Sequence, residues 1–368
     1  MSSKVCAANA KNLRAVFSCL LLSFAGHLAL SADAAAADAS PLAPAWHAQY
    51  GGPKTDFATA TTISDGQAFT VGGSDGDASC FASPYYVPEL NCSFSVRANA
   101  LQDGTQAWVY KSRGTATQVA TGKGKVFAVG QGVYGSGQTN FKVVALNQKT
   151  GQVVWHNESL PKGAIEGGAF MVAVAGDRVI VVGDVLNGTQ FGQTQYFIRA
   201  YDIDSGNIVW EHKSAKTGYL GVFAYVAIAD GKAVAVGEYN DNFITNAYDA
   251  ENGTLLWSRQ EDSGGGGYDA AKAVAIRDGR VFVAGEFSTE GGQSRDDYTH
   301  VYDLNTGDTI WVSQLDSGGF DFLDAITAGK DGLFVGGTGG PSCLFFSPGT
   351  CLLTMFSLDP VTGAVLWT

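Results

Sequence analysis

From about residue 55 to its end the chain is a succession of short apolar runs, many alternating with polar residues, separated by turn residues. Alternation at a period of two places every second side chain on one face, the signature of a half-buried strand. Ala273-Val274-Ala275-Ile276-Arg277-Asp278-Gly279-Arg280-Val281-Phe282-Val283-Ala284-Gly285 reads as two such strands around an Asp-Gly turn. Matching runs end at Gly72, Gly130, Gly183, Gly237, Gly285 and Gly336. No long amphipathic helical period interrupts them.

A second pattern closes each unit. Ala200-Tyr201-Asp202-Ile203-Asp204-Ser205-Gly206-Asn207-Ile208-Val209-Trp210 repeats its Ala, Asp, Gly and Trp at the same offsets as Ala247, Asp249, Gly253 and Trp257. The copies ending at Trp155, Trp311 and Trp367 keep Gly151, Gly307 and Gly363, and the copy ending at Trp108 keeps Gly104 but lacks the acid. Trp46 has no such lead-in. The two patterns define four strands per unit, A to D, over 57–111, 115–158, 167–213, 221–260, 269–314 and 321–368. A–B and C–D turns are short; B–C and D–A links are long and variable.

Four-stranded units in series predict an all-β fold, a β-propeller. One blade has two apolar faces and cannot bury both alone; radial stacking buries them against neighbours. Six blades is the direct reading and seven the alternative, with the chain ending inside the ring. Trp108, Trp155, Trp210, Trp257, Trp311 and Trp367 are expected to pack between blades as structural residues. Trp46 is expected to clasp the last blade, with units 1 and 6 as neighbours in a closed ring.

The repeated Asp–Gly–Trp motif resembles the PQQ-like propeller family, the repeats named after pyrroloquinoline quinone dehydrogenases, over about residues 46–368. The family contains quinone enzymes and cofactor-free scaffolds, so the resemblance implies the architecture and two functional classes. The enzymes resemble larger, eight-bladed rings with adjacent cysteines over the quinone, a Trp beneath it, a bound Ca²⁺ and an Asp base. Here no two cysteines are adjacent and every Trp already has a blade position. No catalytic residue of the family carries over.

Composition narrows the partners. Formal charge is −12 and the pI is near 4.8, which argues against nucleic acid, since phosphate binding needs a basic face. Lys4, Lys11 and Arg14 precede an apolar stretch and a small-residue site near Ala34, the pattern of a secretory signal peptide over 1–34. A retained anchor is the alternative reading of that stretch. A short linker, 35–45, would follow, and no later stretch spans a bilayer. The chain is therefore expected to be exported, to periplasm or exterior. In an oxidising compartment Cys80, Cys92, Cys343 and Cys351 suggest disulfides, with Cys80–Cys92 and Cys343–Cys351 favoured by their similar Pro-containing loops.

In a propeller the D–A and B–C links share one face, and insertions on one face are where repeat proteins bind. Asp56, Asp269 and Asp321 stand at starts of strand A, and Asp184, Glu238 and Glu286 follow the strand-B glycines. Tyr225, Lys272 and Asp324 on inner strands are expected to face the channel. Carboxylates converging from several blades would suit Ca²⁺, with Asp184, Glu238 and Glu286 as its candidates. No histidine is placed for general base work at the channel and no nucleophile elbow or phosphate loop occurs. The reading is an exported, non-catalytic propeller that needs no cofactor and binds a protein or small polar ligand through the link face. The alternatives are a quinone- and calcium-dependent oxidoreductase and a carbohydrate-active enzyme using channel acids.

Overall fold

The computed structural model describes residues 46–47, 49–50, 55–76, 93–134, 138–187, 194–215, 221–264, 267–288, 295–316, 321–330, 332–340 and 351–368. The signal peptide and linker expected over 1–45, and Cys80, Cys92 and Cys343, lie outside them. Among the described residues there are 24 strands and no helix. They form six four-stranded antiparallel sheets, each in sequence order. These are six blades, within residues 55–113, 115–158, 166–213, 221–261, 270–315 and 322–367.

Each junction between consecutive blades holds its own apolar cluster, five in all. The junction of blades 2 and 3 is built on Phe127, Val143, Val181 and Phe197, all fully buried. Strands B and C are buried on both faces, so they read as nearly continuous apolar runs. Strand D shows an outward face, which leaves residues such as Val153, Ile208 and Leu255 exposed.

The repeated Trp performs one task six times. Its indole N–H donates to a backbone carbonyl in the C–D turn of the following blade: Trp108 to Gln148, Trp155 to Ile203, Trp210 to Ala250, Trp257 to Leu304 and Trp311 to Pro360, at 2.9 to 3.4 Å. The ring lies on the Gly three residues further on. A Cβ on Gly151, Gly206, Gly253, Gly307 or Gly363 would come within 2.6 Å of it. Each of these glycines also has φ between 71° and 78°, a backbone state that favours Gly. The motif's acid shapes the same turn: Asp202, Asp249, Asp303 and Asp359 accept hydrogen bonds from main-chain N–H groups two and three residues on.

Trp46 makes the sixth such contact, donating to the Leu101 carbonyl at 2.7 Å and lying on Gly104. It therefore seats on blade 1, as the Trp of a preceding blade would, and does not clasp the last one. Among the described residues no apolar cluster joins blade 6 to blade 1, and the inner strands β1 (Thr55–Ser64) and β21 (Phe322–Gly329) do not pack together as other neighbours do. Trp367 is accordingly 46% exposed, against 7–8% for Trp108, Trp155, Trp210 and Trp257. Among the described residues the expected contact of units 1 and 6 shows no apolar cluster, and Trp367 lies beside Phe334 of its own blade, half exposed, and not between two blades. The expected blade-4-to-6 positions also need one adjustment: the strand-B glycine of blade 6 is Gly337, because it pairs with Leu323 as Gly285 pairs with Ala271.

These strand-B glycines are not strand ends. Each lies inside its strand, opposite a β-bulge in strand A. A Cβ on Gly72, Gly130, Gly183, Gly285 or Gly337 would lie 1.9–2.1 Å from a strand-A carbonyl oxygen. The bulge leaves one strand-A residue unpaired and re-aims its side chain. In blades 1 and 2 this residue is Thr59 or Thr117, whose hydroxyl contacts a carbonyl of the next blade, Ala116 at 2.9 Å or Ala169 at 2.8 Å.

The Trp seat predicts a contrast between two glycines of equal φ. Gly206→Ala should destabilise by about 3 kcal/mol, combining left-handed strain with overpacking of Trp155. Gly231→Ala has no atom within 4 Å of the new Cβ and should cost only the backbone part, about 1 kcal/mol. Urea midpoints of the two variants check this.

Candidate functional site

In blades 5 and 6 the bulge position carries charge: Lys272 and Asp324 occupy it. Lys272 does not point freely into the channel. Its ammonium lies 3.3 Å from Glu286 Oε1 on β18 (Arg280–Ser288), and Arg295 on β19 (Arg295–Asp303) approaches the same oxygen at 2.9 Å. Both cations also cover the ring of Tyr268, at 5.3 and 4.8 Å from its centroid. The Tyr268 hydroxyl hydrogen-bonds Glu238 on β14 (Lys232–Tyr239) of blade 4. Tyr225, one residue past the blade-4 bulge, packs against the blade 4–5 core, and its hydroxyl feels the charge of Asp324. Glu238, Lys272, Glu286 and Asp324 thus come together, with Arg295, Tyr268 and Asp297 beside them.

The acids differ in state because their environments differ. Burial pushes Glu238 up to about 8, against the Tyr268 hydrogen bond and the pull of Lys272. Asp324 rises to about 6, again chiefly from burial. Burial and the nearby carboxylate of Asp321 drive Asp297 well above the usual range. Glu286 is equally buried, yet Lys272 and Arg295 overcome that cost and hold it below its ordinary value. At neutral pH Glu286 is an ionised carboxylate clamped by two cations, Glu238 keeps its proton, and Asp324 is largely ionised.

The remaining expected residues are dispersed. Asp56 borders a cleft of blade 1 with Trp46 and Tyr50. Asp184 is fully buried in blade 3. Asp269 is consumed structurally: it accepts from the main-chain N–H groups of Ser263 and Ser288 and from the Ser263 hydroxyl. Among the described residues the carboxylates that converge to within 4.8 Å are Asp296, Asp316 and Asp321, at the link between blades 5 and 6, and not Asp184, Glu238 and Glu286. Cys351 is disulfide-bonded, and every other cysteine lies outside the described residues. Arg295 and Tyr268 escaped the sequence reading, since both sit in or beside variable links where no repeat marks them.

A pyrroloquinoline quinone with calcium is the group this fold family suggests. The described residues around Lys272 and Glu286 do not fit it. The quinone is a flat tricarboxylate, and the two cations here are committed to Glu286, with the carboxyl groups of Asp297, Asp321 and Asp324 nearby. The indoles that seat, Trp46 among them, hold C–D turns, on the face opposite the links. No step is derived through the group.

Raising pH from about 4.5 through 8 should lower stability, because the folded state keeps the Glu238 proton that the unfolded chain releases; Glu238→Gln should flatten that slope in urea midpoints taken across the range. Glu286→Gln should cost about 3 kcal/mol, since it leaves two largely buried cations without their anion, and denaturation at pH 7 measures it.

Comparison with known proteins fits the repeats. Residues 32–197 and 194–368 match the family described as Outer membrane protein assembly factor BamB. The chain is 29% identical over 244 residues to the outer membrane protein assembly factor BamB of Burkholderia pseudomallei, covering 62% of this chain and 58% of that one. It is 27% identical over 235 residues to the quinoprotein alcohol dehydrogenase PedH of Pseudomonas putida, covering 61% of this chain and 35% of that one. The chain thus spans a third to just over half of the curated relatives it matches. Among solved structures, a europium-containing methanol dehydrogenase is similar with a TM-score of 0.53 at 13% identity, covering 84% of this chain and 68% of that one. Saccharomyces cerevisiae Sqt1 is similar with a TM-score of 0.52 at 10% identity, covering 84% and 72%. Such likenesses speak to the fold. With its two halves matched in series by one repeat family, this chain belongs to the PQQ-like β-propeller family of the outer membrane protein assembly factor BamB.

Proposed function

We propose that the protein is an exported, non-catalytic binding scaffold that engages a protein or small polar ligand through the face carrying the B–C and D–A links. The observation that carries this is the asymmetry of the two faces. On the C–D turn side every blade spends its conserved geometry on the Trp seat, leaving short, uniform turns. The link side gathers the variable segments and the ion-paired cluster of Lys272, Glu286 and Arg295. Membership of a family described by an assembly factor supports a binding role, and a partner in outer-membrane protein assembly is the first to test.

The similarity to a quinoprotein alcohol dehydrogenase favours oxidoreductase activity as the second reading. It asks for a cation-lined seat for a tricarboxylate, and the cations at the axis are already paired. For calcium alone the converging carboxylates of Asp296, Asp316 and Asp321 are the donor set.

The two readings separate in one titration. The scaffold reading predicts no calorimetric heat from pyrroloquinoline quinone with or without Ca²⁺; micromolar calcium-dependent binding, about −8 kcal/mol, contradicts it. In parallel, crosslinking in periplasmic extract from a photoreactive residue at Gly264 on the link face should capture a partner. The same residue at Asn252, on the C–D side, should not.

A further inference from the structure

A second surface lies away from the axial cluster, on the face of blade 1 against which no preceding blade packs among the described residues. In blade 2 the corresponding face is apolar: Val119, Ala128, Val144 and Leu146 are buried in the junction with blade 1. The strand registers place Thr61, Thr70, Arg97 and Asn99 at the same four positions of blade 1. The Thr61 and Thr70 hydroxyls lie 3.3 Å apart, and the Asn99 amide donates to the Tyr50 hydroxyl and the Gly104 carbonyl. This is a polar face, where the other blades present the apolar half of a junction.

With Trp46, Tyr50, Asp56 and Phe57 this face borders a cleft of about 300 Å³, and Arg97 is the cation that lines it. Arg97, on β3 (Ser93–Ala100), is partly exposed. Its guanidinium lies over the Tyr50 ring, 4.6 Å from the centroid, and donates to Gln106 Oε1 at 3.0 Å. Among the described residues no carboxylate pairs with it. Blade 3 shows what an arginine does at this position. Arg199 is the counterpart by register. Its Nε and Nη2 donate to Glu211 at 2.9 and 2.7 Å, its Nη1 donates to Ser159 Oγ at 2.9 Å, and it covers the ring of Phe197 at 4.9 Å. Glu211 stands directly opposite Arg199 on strand D. The residue directly opposite Arg97, on β4 (Gln106–Arg113), is Val109. Blade 1 therefore keeps the arginine and its ring and lacks the anion.

We propose that this cleft receives an acidic side chain, glutamate or aspartate, of a partner polypeptide, and that Arg97 is the group that binds it. The Arg199–Glu211 pair supplies the chemistry: a planar guanidinium offers a fork of N–H donors that matches a carboxylate. Val109 is 42% exposed, so the position that the anion takes in blade 3 is open here to an approaching chain. Tyr, Trp and Arg are the residue types on which protein interfaces concentrate their binding energy, and Tyr50, Trp46 and Arg97 line this cleft together. A neutral sugar would leave the guanidinium charge unmatched. A phosphate would bring a second negative charge against Asp56 on the cleft wall. The inference does not rest on the link-face reading, and the cleft shares no residue with the cluster of Lys272 and Glu286.

The test is a calorimetric titration of the purified full chain with Nα-acetyl-glutamate methylamide, then with the glutamine analogue, which keeps the shape and removes the charge. Binding is expected in the millimolar range or tighter, and at least about tenfold weaker for the glutamine probe. Arg97→Gln should weaken binding of the glutamate probe about tenfold or more. Val109→Glu is the second variant. It puts opposite Arg97 the acid that Glu211 puts opposite Arg199, so the guanidinium is satisfied within the chain and the probe should again bind about tenfold more weakly. Melting curves establish that both variants are folded; if Arg97→Gln fails to fold, Val109→Glu, at an exposed position, decides alone. Equal affinity for the two probes, no heat up to about 10 mM glutamate probe, or unchanged binding in either folded variant would each overturn the proposal.

Discussion

The structure depends on one interlock: an indole from strand D of one blade lying on the glycine of the next blade's C–D turn and donating its N–H to a carbonyl three residues before it. Two constraints meet at that glycine. The turn requires a positive φ, and the ring requires the absence of a Cβ. Either alone would allow some substitution; together they admit only Gly. The interlock also explains why the repeat is directional. Blades 1 to 5 each provide a Trp forward to a seat on the next, so they are joined in one order and one orientation.

The second recurring device, the strand-A bulge opposite a strand-B glycine, does the opposite job. The interlock standardises one face; the bulge frees a side chain on each inner strand for local use. Where that side chain is Thr59 or Thr117 it ties neighbouring blades through a carbonyl. Where it is Lys272 or Asp324 it introduces charge into a buried junction, and the cluster of blades 4 to 6 is the outcome. A buried pair of cations on one carboxylate is a weak contributor to stability when intact and a large liability when broken. Its retention fits a role in recognition better than one in holding the blades together.

Much of the fold was legible because the interlock is local in sequence. Asp202, Gly206 and Trp210 lie within nine residues, so the repeat marks itself and the four-strand unit follows. Trp46 was misread because its partner, Leu101, is 55 residues away, and nothing local distinguishes a Trp that seats on the first blade from one that clasps the last. Gly336 and Gly337 could not be told apart by eye, since only the bulge at Asp324 decides which faces the strand-A carbonyl. The site was half legible. Lys272, Glu286, Glu238 and Asp324 sit on regular strands at matching positions, whereas Arg295 and Tyr268 enter from links that keep no repeat. Asp269 looked like a rim acid and proved to be an anchor, because its partners are Ser263 in the link before it and Ser288 at the end of β18. His300 was read only as a residue with no general-base role at the channel; its burial among four rings appears only once the neighbouring strands are in place.

The interlock is tested most directly by a double-mutant cycle between Trp210 and Gly253, read by urea denaturation. If the ring and the missing Cβ are one device, Gly253→Ala should be markedly cheaper in a Trp210→Ala background than in the natural chain, with a coupling of about 1 kcal/mol or more. Costs that simply add, within about 0.5 kcal/mol, would mean that the glycine serves the turn alone and that the Trp seat does not order the blades.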